Sequence, residues 1–88
     1  MNNITHWIGG RPWDGPTPAR SGDVCNPATG AVTGRVAFAD GAVVDAAVAA
    51  ATAAARMWSR SSLAVRTRTL FAFRDLVERR KRDLAALL

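Results

Sequence analysis

The sequence predicts a small mixed segment: two short β-hairpins over residues 1–40, then two amphipathic α-helices over residues 41–88. Three observations predict it. Glycine and proline turn signals divide the front of the chain into runs too short for helices. Asp40 stands where a helix N-cap belongs, directly before an alanine-rich stretch of helical period. A second helical pattern follows a serine-rich break and runs to the last residue.

Ile4 to Ile8 forms the first strand candidate, Gly9-Gly10 a hairpin turn, and Arg11-Pro12-Trp13 the start of a return strand. Pro12 pushes that strand to an edge, because it has no N–H to donate. Asp14 to Gly22 reads as an exposed loop. Val24 and Cys25 lead into Asn26-Pro27-Ala28-Thr29-Gly30. Asn26 can bond the backbone ahead of it, Pro27 presets φ for a turn, and Gly30 supplies the positive φ that closes it. Val32 to Phe38 completes the second pair. Two hairpins of this size carry too little apolar area to stand alone.

The first helix spans Gly41 to Trp58. Val44, Val48, Ala51, Ala55 and Trp58 recur at helical spacing and define one face, small enough for a partner to approach closely. Ser59 to Ser62 breaks the helix, and Ser61 or Ser62 caps the next. That second helix runs from Leu63 to the end, with Leu70, Phe73, Val77, Leu84 and Leu87 on one face. Asp75–Arg79, Glu78–Arg82 and Arg79–Asp83 fall at i,i+4 on the outside. Asp83 to Leu88 holds strong helix formers and no stop signal, the pattern of a chain truncated within its second helix.

Composition narrows the function. A chain of 88 residues holds one domain and buries only about 60–65% of its unfolded surface. One cysteine makes no internal disulfide, and one cysteine with one histidine makes no zinc site. Met1 to His6 has neither a basic nor an apolar signal region, and no apolar run nears the roughly 18 residues of a membrane span. These features point to a cytoplasmic protein. The net charge of +5 is uneven: residues 1–55 hold three Arg and four acids, residues 56–88 nine Arg or Lys and three acids.

Several residues invite a functional reading. Cys25 has no histidine following it and reads as a small buried hydrophobe. His6 lacks a second ligand or acid partner and reads as a strand residue with a satisfied ring. Trp7, Trp13 and Trp58 read as gap fillers against other parts of a protein rather than as a base-stacking platform. Arg79-Arg80-Lys81-Arg82 could meet phosphates, but four successive residues circle a helix, and Asp75, Glu78 and Asp83 offset the charge. A solvated surface is favoured, and nucleic-acid binding is disfavoured. Gly9, Gly10, Gly30 and Gly34 read as turn residues, since none opens a helix directly after a strand as a phosphate cradle requires. Gly41 does so but stands alone.

The order of these pieces resembles the amino-terminal segment of the aldehyde dehydrogenase superfamily over essentially all 88 residues. The resemblance rests on Trp7-Ile8-Gly9-Gly10, Asn26-Pro27-Ala28-Thr29-Gly30 with its following strand, Val44-Asp45-Ala46-Ala47-Val48, Trp58, Arg66 with Leu70, and Leu84-Ala85. Within it, Ile4 to Gly10, Leu70 to Arg74 and Lys81 to Ala85 resemble the CoA-acylating methylmalonate-semialdehyde type of valine catabolism. Arg11 departs from the Lys usual there.

The resemblance implies an α/β parent enzyme that assembles as dimers or tetramers. A cysteine thiolate would attack a small aldehyde substrate, hydride would leave to NAD, and CoA or water would take the acyl group. The family's catalytic cysteine and nucleotide motif lie downstream, so the resemblance places no catalytic, cofactor-binding or metal residue in this chain. NAD and CoA are expected to bind the parent and not this segment. The alternative is a small independent binding module that contacts nucleic acid or a protein through its basic second helix. An independent module must bury its helix faces within 88 residues, whereas a fragment leaves them exposed.

Overall fold

The computed structural model describes residues 2–17 and 19–88. Short strands come first and helices follow, as the sequence predicts. The elements are β1 (Asn2–Ile4), β2 (Trp7–Ile8), β3 (Arg11–Pro12), β4 (Ser21–Cys25), β5 (Val32–Ala37), α1 (Gly41–Trp58), α2 (Leu63–Arg79) and α3 (Lys81–Ala86). They divide into two units, one ending at Ala55 and one running Arg56–Leu88.

In the first unit, β2 and β3 pair antiparallel, Trp7 opposite Pro12 and Ile8 opposite Arg11. Gly9 and Gly10 both take positive φ, +65° and +78°. A tight two-residue hairpin turn of this kind needs positive φ at both central positions, which glycine adopts without steric cost. The continuous strand expected over Ile4 to Ile8 is absent. Ile4 belongs to β1, which pairs parallel with β5 in the register Asn2–Gly34, Asn3–Arg35 and Ile4–Val36. The run divides at Thr5-His6, where the His6 carbonyl accepts the Trp13 amide at 2.8 Å and closes the small hairpin.

The parallel pairing explains Gly34, which lies inside β5 and not in a turn as expected. A Cβ at this position would sit 2.7 Å from the Asn2 carbonyl oxygen. Glycine here lets β1 approach.

β4 and β5 form the second hairpin, giving a three-stranded sheet of order β1-β5-β4. Val24 faces Gly34 and Cys25 faces Val32, so Thr33 is the extra residue of a bulge. Its hydroxyl donates to the Val24 carbonyl at 3.2 Å. The Asn26 turn has the predicted chemistry. Asn26 Oδ1 accepts from the Ala28 amide at 2.9 Å. The Asn26 carbonyl accepts from Gly30 at 2.7 Å, and Gly30 has φ +75°.

Ser21 and Gly22, expected in a loop, lie in β4. Gly22 faces Val36, and a Cβ there would come 2.6 Å from the Phe38 ring. The aromatic ring therefore occupies the space above this strand position.

Asp40 caps α1: its Oδ1 accepts the Val43 amide at 2.9 Å. Val43 is 4% exposed and is the buried hydrophobic residue among those described. Ala46, Ala47 and Ala50, on the same side, are half-buried. The expected face of Val44, Val48, Ala51, Ala55 and Trp58 is exposed instead. An alanine-rich helix is apolar on more than one side, so periodicity finds stripes without choosing between them.

In the second unit, Ser62 caps α2, accepting the Val65 amide at 3.2 Å. Ser61 turns back, its hydroxyl donating to the Met57 carbonyl at 3.2 Å. The helix expected to run unbroken from Leu63 divides at Arg80, whose φ and ψ are −109° and 15°. Its amide is shared between the carbonyls of Leu76 and Val77 at 3.1 and 3.2 Å, a tightened turn that ends α2.

No residue of α2 or α3 is buried. Leu70, Phe73 and Leu87 are 66%, 65% and 82% exposed. Among the described residues, the ion pair on these helices joins Lys81 to Glu78 at 3.0 Å. The expected pairs Asp75–Arg79, Glu78–Arg82 and Arg79–Asp83 do not form. The irregular turn at Arg80 shifts the helical register just where two of them would have to span it.

Candidate functional site

A concavity lies on the first unit. It is an open cleft of about 390 Å³ lined by Asn3, Thr5, Trp13, Thr17, Ser21 and Arg35, with Ile4 and Ala37 among its apolar walls. Trp13 is held by its own loop: its indole N–H donates to the Pro16 carbonyl at 3.1 Å. Gly15 lies against the ring so closely that a Cβ would collide with it. Trp13 thus packs against its own loop while staying half-exposed.

The one ionic side chain in the cleft, Arg35, is paired with Asp23 through Nε at 3.0 Å. Among the described lining residues there is no histidine, cysteine or carboxylate. Hydroxyls and an amide can form hydrogen bonds, but a nucleophile needs an adjacent base, and none lines this cleft.

Cys25 ends β4 and is exposed, contrary to the expectation of a buried hydrophobe. Its place is fixed by the strand end before the Asn26 turn, and its cross-strand neighbour is Val32. His6 lies between β1 and β2 rather than in a strand. Its Nε2 is buried without a hydrogen-bond partner, so the ring is not satisfied as expected. Among the described residues no group of three or more His, Cys, Asp or Glu is placed to hold a metal.

The basic run is divided by the fold. Arg79 ends α2, Arg80 occupies the break, and Lys81 and Arg82 open α3. Lys81 is engaged by Glu78.

Arg66 has a structural role that local sequence rules missed. Its Nη2 donates to the carbonyls of Trp58 and Ser59 at 3.0 and 3.1 Å. The guanidinium also lies over the Trp58 ring, 5.8 Å from its centroid. Carbonyls at the end of α1, one of which (Trp58) also accepts the Ser61 amide at 3.0 Å, thus gain a cationic donor, the arrangement favoured at a helix C-terminus. Trp58 supplies both a carbonyl and a ring face to this arrangement.

A nucleotide pyrophosphate does not fit the junction from β5 into α1. The junction from β5 into α1 is where a strand leads into a helix, and phosphate would need the free amides of that first turn. Asp40 already occupies the Val43 amide with a carboxylate. A second anion there would meet like charge.

A model of the aldehyde dehydrogenase family matches residues 13–88. The chain is 36% identical over 85 residues to malonate-semialdehyde dehydrogenase 2 of Geobacillus thermodenitrificans, covering 97% of this chain and 17% of that protein. It is 36% identical over 69 residues to malonate-semialdehyde dehydrogenase of Pseudomonas aeruginosa, covering 78% and 14%. Identity to betaine aldehyde dehydrogenase of Vibrio vulnificus is also 36%, over 87 residues, covering 99% and 18%. The chain therefore spans less than a fifth of the length of these relatives. No helix among the described residues is long and apolar enough to cross a membrane. With the family match running through most of its length, the chain belongs to the aldehyde dehydrogenase family.

Proposed function

We propose that this chain is the amino-terminal scaffold segment of an NAD-dependent, CoA-acylating aldehyde dehydrogenase that converts methylmalonate semialdehyde to propionyl-CoA. In this reading the segment contributes packing surface. The catalytic cysteine, the nucleotide site and the acyl-acceptor site belong to the remainder of the enzyme, and no catalytic, cofactor or metal residue lies within these 88 positions.

The observation that carries the scaffold role is the exposure of Leu70, Phe73 and Val77 on α2, Leu84 on α3 and Leu87 just after it. Exposing so much hydrocarbon opposes independent folding, because each such side chain gains roughly 1.5–3 kcal/mol only when buried. The same observation disfavours an independent basic module, which would have to bury those faces itself. The semialdehyde assignment is supported by the malonate-semialdehyde dehydrogenases among the relatives. Betaine aldehyde dehydrogenase is equally identical and supplies the competing substrate class, a cationic aldehyde in place of an anionic one.

The test is to read the gene in frame past Leu88, express the complete product, and follow NADH formation with each aldehyde, with and without CoA. CoA-dependent turnover of methylmalonate semialdehyde is expected, with none from the 88-residue chain. NADH formation by the 88-residue chain, or a reading frame that stops at Leu88, overturns the proposal. Preference of the complete product for betaine aldehyde overturns the substrate assignment alone.

A further inference from the structure

No further inference is drawn: the strongest candidate, the exposed apolar side chains Leu70, Phe73 and Val77 of α2 with Leu84 and Leu87 beyond the break at Arg80, has nothing in the structure to show what covers it.

Discussion

The first unit and the helical unit are held by different kinds of interaction. From Asn2 to Ala37, strand registers and the Asn26 turn are fixed by hydrogen bonds and by glycines at close backbone approaches. From Arg56 onward, capping and the Arg66 contacts define where the helices start and stop, yet no side chain of α2 or α3 is buried. Local polar chemistry sets the ends of a helix. It does not supply the burial that keeps most protein helices folded. The front unit is thus specified from within, whereas the helices α2 and α3 bury no side chain of their own.

The largest expected effect breaks this comparison directly. Phe73→Ala should cost the complete enzyme about 3–5 kcal/mol if Phe73 is buried there. In the isolated chain, where Phe73 is 65% exposed, the same change should leave helicity nearly unaltered. Denaturant unfolding of the complete enzyme and far-UV dichroism of the chain would measure the two effects. Equal effects in both would mean that Phe73 finds its partner within these 88 residues.

Next comes Gly34→Val, which tests the front unit. The added side chain would start 2.7 Å from the Asn2 carbonyl oxygen. Overpacking of this kind costs roughly 1–3 kcal/mol. Amide exchange at β1 should accelerate while the β2–β3 hairpin is spared. Unchanged protection at Asn3 and Ile4 would show that β1 does not depend on this contact.

Smaller effects belong to the caps. Asp40→Ala and Ser62→Ala each remove a side-chain acceptor from a first-turn amide, at 2.9 and 3.2 Å. Each should cost about 1 kcal/mol in the complete enzyme. Thermal melting would measure both, and a loss below about 0.3 kcal/mol would mean that the cap is replaced by water.

What could be read in the sequence follows the same division. Gly9-Gly10, the Asn26 turn, Asp40 and Ser62 were legible because each acts on backbone within four residues. The β1–β5 pairing was not, since Asn2 and Gly34 meet across an intervening hairpin and loop. Arg66 reaches back eight residues to the Trp58 carbonyl, beyond the span of capping rules. The side of α1 that is buried was ambiguous because alanine surrounds the helix. The cleft was unreadable because it draws together β1, Trp13, Ser21 and Arg35, brought into proximity by long-range strand pairing. The family, by contrast, was legible from the order of ordinary turns and helix faces along the chain.

The smallest effect separates the charge pattern read along the sequence from the one the fold adopts. Helical spacing pairs Glu78 with Arg82, whereas the structure pairs it with Lys81 across the turn at Arg80. Both partners are well exposed, so solvent screens the attraction and leaves about 0.2–0.5 kcal/mol. A double-mutant cycle of Glu78→Gln with Lys81→Met should recover that coupling, and the cycle with Arg82→Met should give none. Coupling to Arg82 instead would mean that the helix runs unbroken through Arg80 once its apolar face is covered. The break would then belong to the uncovered helices, whose backbone geometry would depend on burial of their apolar side chains.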